Sequence, residues 1–410
     1  MNMAHSRTIN KIFVSGKPVV LIILGSFLWL TQGCGNAGED EPKQLPVINE
    51  ILNDTSSAWH LDPASFPEHR EVLPVGIFGT EKDDITAVEV LLGFDQFDNI
   101  TGNPGSDGIS DFAGEYFDFF CPPAAKAPVR DSARIITIKN MSELFRTNGD
   151  RPPVKALVVA GDPASVMAFE DIQELIRAGN LGVVTISVLQ AGIDKTLDNV
   201  RRFHSERNKR VTVGVIASES SMELKAYERL NEEVEVVYQG FTPDSLPSLN
   251  NPLYPLDRNL IRAYHFDYSR SGMNYRGSRY NPGVMEVNST ENAVRYAITS
   301  LVSQLLLGSH PPLKYVLTGE NSISRYPEII REQLTFLRNF RQNNRYIYRH
   351  LIDPEVVLIN PREEAAGILY KTLRENRLAA FRTTPSCVRI HAAEPLDLSK
   401  YPLLNVCINH

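Results

Sequence analysis

Three stretches of this 410-residue chain end an apolar run on a glycine followed by polar or acidic residues. Pro74-Val75-Gly76-Ile77-Phe78 runs into Gly79-Thr80-Glu81. Val154 to Ala160 runs into Gly161-Asp162-Pro163-Ala164-Ser165, and Lys314 to Thr318 runs into Gly319-Glu320-Asn321. Short valine-rich runs of this kind suit strands buried on both faces of a parallel sheet. In open α/β sheets a ligand sits just outside the carboxyl ends of such strands. Glycine there leaves room and exposes backbone N–H groups. The residues that follow are acidic: Glu81, Asp162 and Glu320. Together they repel a dicarboxylate and favour a ligand with an amine or many hydroxyls, such as an amino sugar, a cationic peptide stem or a polyol. Two roles are open to Asp162 and Glu320: an acid–base pair for a hydrolytic or lyase step, or hydrogen-bonded helix caps.

The elements around these turns alternate strand and helix, which predicts an α/β fold. Val166, Phe169, Ile172 and Ile176 recur at helical spacing, so Ala164 to Arg177 reads as a helix with Pro163 at its start. Ile85 to Leu92 is the helix after the first turn. Leu181–Ser187, Val211–Ala217 and Val234–Tyr238 read as further strands, and Thr290–Leu307 and Pro327–Phe340 as helices. Val356–Asn360 is a strand leading into a helix over Pro361–Asn376. Ser386–Ile390 and Leu403–Ile408 read as added strands. The stretch from Phe94 to Pro128 reads as an insertion. Asp111, Glu115 and Asp118 form the solvated side of an amphipathic helix there, with Phe112, Tyr116 and Phe119 interleaved. Between Asn250 and Pro282, Arg262, Arg270, Arg276 and Arg279 alternate with Tyr264, Tyr268, Tyr275 and Tyr280. That pattern is either a binding surface for sugars, carboxylates or a protein, or a loop held rigid by its own stacking.

The chain opens as a secretory leader. Arg7, Lys11 and Lys17 precede the apolar run up to Leu30, and Thr31-Gln32-Gly33-Cys34 follows. Gly33-Cys34 makes it a lipoprotein signal with Cys34 as the lipidated residue; an ordinary cleaved signal and an uncleaved anchor are the other readings. The acidic, polar stretch after Cys34 is a tether, similar to those of surface lipoproteins of Bacteroidota. This places the protein on the periplasm-facing or outer membrane, or at the cell surface, with the lipid bilayer as its partner. Of the remaining cysteines, Cys387 and Cys407 are the expected disulfide partners and Cys121 is left over; buried free thiols are the other reading. A net charge of −7, no run of basic residues and no zinc-type cysteine spacing argue against nucleic acid and structural zinc.

The blocks, in their order, resemble the glutamate racemase family of the Asp/Glu racemase superfamily. In that family the strand over 156–160 ends in Ala-Cys-Asn-Thr-Ala-Ser; here Ala160, Ala164 and Ser165 are kept and Gly161 stands at the cysteine. VTVGVIASESSMELKAY keeps the family spacing at Gly214, Ala217, Ser218, Ser221 and Tyr227, with Tyr227 expected to pack. Gly319 stands at the second cysteine, Glu320 at a threonine and Asn321 at a histidine. Gly79 stands at the aspartate that assists the first thiol, with Thr80 beside it; a second register would put Asp107-Gly108 there instead. The resemblance implies a two-lobed α/β fold, each lobe a mainly parallel sheet flanked by helices. It implies lobe one over 73–190 plus 356–410 and lobe two over 191–355, after a leader to 34 and a tether over 35–72.

Cofactor-independent racemisation needs a titratable group on each face of the substrate carbon. Glycine supplies none, so the resemblance implies no catalytic residue, cofactor or metal. It implies instead a pseudoenzyme whose inter-lobe cleft binds a small molecule or a peptidoglycan-like envelope component. Its ligand-binding set is Gly79, Thr80, Gly161, Asp162, Ser165, Ser218, Gly319, Glu320 and Asn321. The alternative is an active racemase or lyase with a relocated acid–base pair.

Overall fold

The structure is a computed structural model that describes residues 45–123, 130–149, 151–241, 275–277, 285–287, 290–380 and 384–407. Cys34, the leader and most of the arginine–tyrosine stretch lie outside the described residues. Within Gln44–His410, one compact unit, two parallel sheets are each covered by helices on both faces. The fold is α/β with two mainly parallel sheets.

The first sheet contains β1 (Val75–Phe78), β2 (Tyr116–Cys121), β3 (Ala156–Val159), β4 (Val184–Ser187) and β13 (Cys387–Ala392), in the order β13-β2-β1-β3-β4. All its pairs are parallel. The second contains β5 (Thr212–Ala217), β6 (Glu235–Gly240), β9 (Leu313–Thr318) and β12 (Ile352–Ile359), ordered β12-β9-β5-β6 and again all parallel. Among the described residues there are also two small antiparallel ribbons: β7 (Tyr275–Gly277) with β8 (Met285–Val287), and β10 (Arg341–Gln342) with β11 (Arg345–Tyr346). β1, β3, β5 and β9 are buried along their whole length. That explains why they read as unbroken apolar runs and not as alternating ones.

Helix α4 spans Asp162–Ala178 and follows β3. Helix α5 (Val188–Arg207) carries the chain from the first sheet to the second, capped by Ser187, whose hydroxyl accepts from the Gln190 amide. After β12 the chain returns through helix α9 (Pro361–Glu375), capped by Asn360. The lobe boundary expected at 356 falls inside β12, which pairs with β9. Among the described residues the remaining α-helices are α1 (Pro46–Asn53), α2 (Thr86–Gly93), α3 (Arg130–Ser142), α6 (Glu219–Glu223), α7 (Thr290–Leu307) and α8 (Pro327–Asn339).

Three sequence expectations are corrected. Tyr116–Cys121 is an inner strand and not part of an amphipathic helix, and Asp111, Glu115 and Asp118 are buried instead of solvated. Phe117 and Phe119 point to one face of the sheet and Asp118 to the other, the period of two that a strand imposes. The folded region starts well before Leu73: α1 lies in the stretch read as tether, and its Val47, Ile48 and Ile51 are buried against α3 and α4. Of the strand expected over Leu403–Ile408, the described residues 403–407 form one bridge, Val406 with Val388. Beside it Cys387 and Cys407 form a disulfide, and Cys121 is free and buried.

Candidate functional site

The carboxyl ends of β1 and β3 in one lobe face those of β5 and β9 in the other, which brings the three glycine turns to one seam. What fills the seam is side chain from the protein itself. A β-carbon added at Gly161 would lie closer than 3.0 Å to the Thr80 hydroxyl and 2.9 Å from the Asp84 carboxylate. One added at Gly319 would collide with the Tyr227 hydroxyl and ring. Gly79 is bounded by Asp84 and by the edge of the Phe119 ring, at 3.0 and 3.1 Å. At Gly161 and Gly319 the space a larger side chain would need is taken by Thr80, Asp84 and Tyr227.

Asp84 is the hub on the first lobe. It sits in a short turn, Lys82–Ile85, where Glu81 and Asp84 close a reciprocal capping box. Its Oδ2 accepts from the Thr80 and Glu81 amides at 2.8 and 3.0 Å. Its Oδ1 accepts from Asn321 Nδ2 of the other lobe at 2.9 Å. Asn321 in turn accepts from Arg362, whose Nη2 also donates to the Gly319 carbonyl at 2.9 Å. Arg362 is buried in the first turn of α9, and its guanidinium gathers the end of β9. A second bond crosses the seam where the Tyr227 hydroxyl donates to Asp162 Oδ2 at 2.8 Å. A third is the ion pair Arg325–Glu89 at 3.1 Å, with Arg325 lying over the Tyr401 ring and Tyr401 donating to Asp83 at 2.8 Å.

The predicted site residues divide accordingly. Gly79, Thr80, Gly161, Asp162, Gly319 and Asn321 meet at the seam. Glu320 accepts from the amide and hydroxyl of Ser322 at 3.3 and 3.1 Å, a local turn contact; the short helix that follows is N-capped by Ser322 without a side-chain cap bond. Ser218 caps α6 and Ser165 accepts from the Ser187 hydroxyl at 3.0 Å; both hold elements together. Tyr227, expected only to pack, is fully buried yet commits its hydroxyl to Asp162. Asp84 and Arg362 were missed. The Glu81-x-x-Asp84 spacing was a legible cap signal, and an arginine in a first helical turn, where the macrodipole favours acids, was a legible anomaly.

The electrostatics follow from four carboxylates around one guanidinium. Burial raises Asp162, against the hydrogen bonds from Ser221 and Tyr227 and the charge of Arg362, which lower it. Burial also raises Glu320. Glu81 keeps part of its surface in solvent, yet desolvation of its carboxyl, then the charges of Asp84, Glu320, Asp83 and Asp162, push it up to about 7. Burial and Asp162 drive the Tyr227 hydroxyl well above its ordinary range. Two-base proton transfer requires titratable groups on opposite faces of a substrate; here Tyr227 and Asp162 are bonded directly to one another, as are Asn321 and Asp84. Cys121, at the end of β2, has its thiol pushed up to about 12 by burial, then by Asp84, Glu394 and Glu81, so it is not a thiolate near neutrality. Next to the seam lies an open pocket of about 710 Å³ lined by Thr80, Glu81, Asp83, Cys121, Ala393 and Glu394, among others.

No protein-family model and no curated protein matches the chain. Solved structures do. Glutamate racemase from Francisella tularensis, solved with D-glutamate, is 17% identical, with 81% of this chain and 92% of that one covered and a TM-score of 0.42. The racemase isoform RacE1 from Bacillus anthracis is 14% identical, covering 83% and 98%, with a TM-score of 0.47. The Thermus thermophilus enzyme, solved with beta-chloro-D-alanine, is 15% identical, covering 82% and 96%, with a TM-score of 0.44. The solved structures this chain is similar to are thus glutamate racemases, the family to which its sequence blocks bear a resemblance.

Proposed function

We propose that this chain is a non-catalytic protein of the cell envelope, held to a membrane through lipidated Cys34, that binds an amine- or hydroxyl-rich envelope component. The observation that carries the non-catalytic part is the filling of the two glycine positions by Thr80 and Tyr227. An acid–base side chain at either position would collide with these neighbours, and the Thr80 and Tyr227 hydroxyls are already bonded to the carboxylates of Asp84 and Asp162. The ligand site moves from between the lobes to the adjoining pocket, where Glu81, Asp83 and Glu394 outnumber Lys82. That lining suits a cationic amino sugar or amino-bearing stem and disfavours glutamate. A disulfide between Cys387 and Cys407 agrees with an oxidising compartment.

Two measurements test the reading. Incubated in heavy water with either enantiomer of glutamate, the protein is expected to leave Cα hydrogen unexchanged; exchange abolished by Asp84→Asn or Asp162→Asn would establish an active enzyme. In titrations followed by NMR, glucosamine is expected to shift resonances around Glu81 and Glu394 while glutamate does not. Tight glutamate binding would reject the ligand class.

A further inference from the structure

The second sheet gathers positive charge at the edge opposite the seam. Its strands are parallel, so the segments that enter β5, β9 and β12 all arrive at one edge. There Val211–Thr212, Pro312–Leu313 and Leu351–Ile352 lie side by side, tied by the Thr212 amide to Pro312 and the Leu313 amide to Leu351. Two of the entering segments are strongly basic in a chain of net charge −7. From Leu337 to Ile352 there are four arginines and His350 and no acidic residue. From Arg201 to Arg210 five lysines and arginines and His204 stand against Glu206.

Part of this charge is neutralised internally. Arg201 pairs with Glu233, Arg210 with Glu235 and Lys314 with Asp353. Six cations are exposed and form no ion pair with a carboxylate among the described residues: Arg202, Arg207 and Lys209 at the end of α5, and Arg341, Arg345 and Arg349 at the β10–β11 ribbon. The ribbon holds its cations rigidly. Asn343 and Asn344 both take the left-handed conformation of a tight hairpin turn, and Arg341 and Arg349 both lie over the Tyr346 ring. The basic residues ending α5 also complement its macrodipole; on the ribbon two of the three cations stack on Tyr346, yet none of the three meets a carboxylate among the described residues.

We propose that this edge docks on the anionic phospholipid headgroups of the membrane that carries the chain, which turns the seam and its adjoining pocket away from the bilayer. The orientation rests on the anchoring through Cys34 proposed above. Ten residues separate Cys34 from Leu45, a reach of at most about 35 Å. That keeps the folded unit at high effective concentration near the headgroups, where each basic side chain adds to adsorption.

The test uses residues 44–410, one compact unit that holds the described apolar clusters. Co-sedimentation with vesicles of neutral phosphatidylcholine is compared with vesicles containing phosphatidylglycerol, at low and high salt. Salt-sensitive binding to the anionic vesicles alone is expected, and Arg341→Glu/Arg345→Glu/Arg349→Glu is expected to weaken it about a hundredfold. Arg202→Glu/Arg207→Glu/Lys209→Glu, on a separate element, gives an independent loss if the ribbon variant misfolds. Equal binding to both vesicle types, or retention on RNA without retention on anionic vesicles, overturns the proposal. Palmitate labelling of the full chain, lost on Cys34→Ala, tests the anchor separately.

Discussion

At the scale of single residues the informative positions are glycines with no room beside them. Gly319→Ala is expected to destabilise the fold by about 1–3 kcal/mol, because the Tyr227 hydroxyl it would strike is buried and bonded to Asp162. The same change in a Tyr227→Phe background should cost less, and urea unfolding of the four proteins in that cycle measures the difference. Gly161→Cys meets both the Thr80 side chain and the Asp84 carboxylate, which two amides and Asn321 hold in place, so a cost of the same order is expected and no proton exchange at Cα. Glu81 gives a pH signature. Its folded pKa, about 7, lies above the ordinary glutamate value of 4.5, so the unfolded chain ionises first. Stability from this group is therefore full below about 4.5 and falls as pH rises to about 7. Glu81→Gln should flatten thermal unfolding midpoints across that window; an unchanged slope would show that the carboxyl is unperturbed.

At the scale of elements, two fastenings decide whether the lobes keep their ends. The first turn of α9 carries Arg362, which holds the carbonyls of Thr318 and Gly319 and the side chain of Asn321. Arg362→Leu leaves those acceptors buried and is expected to cost about 3 kcal/mol or more, read as a lower denaturant midpoint. The disulfide joins β13, an outer strand of the first sheet, to the tail 20 residues later. Closing a loop of that length contributes about 3 kcal/mol in the chain-entropy account, so reduction should lower the unfolding midpoint. Reduction should speed hydrogen exchange of the β13 amides and leave that of the opposite outer strand, β4, which has no covalent tie to lose, unchanged.

At the scale of the whole molecule, the same parallel topology separates two surfaces. Acidic strand ends converge on the seam, and basic entering segments converge on the far edge of the second sheet. Both follow from strand direction, because every parallel strand sends its amino and carboxyl ends to opposite sides. The sequence by itself determined the strands, since Val154–Ala160 and Val211–Ala217 are too apolar to lie anywhere but inside a sheet, and the glycine turns that end them. It also marked the absence of titratable groups at 161 and 319, which composition at a position settles. It misread Tyr116–Cys121, because a six-residue aromatic run carries too few turns for period two and period three-and-a-half to separate. Only the tertiary structure decided what occupies the space the glycines leave. Thr80, Asp84 and Tyr227 reach it from turns and strands distant in sequence, and whether a gap is open or filled depends on distances between lobes that no local pattern encodes.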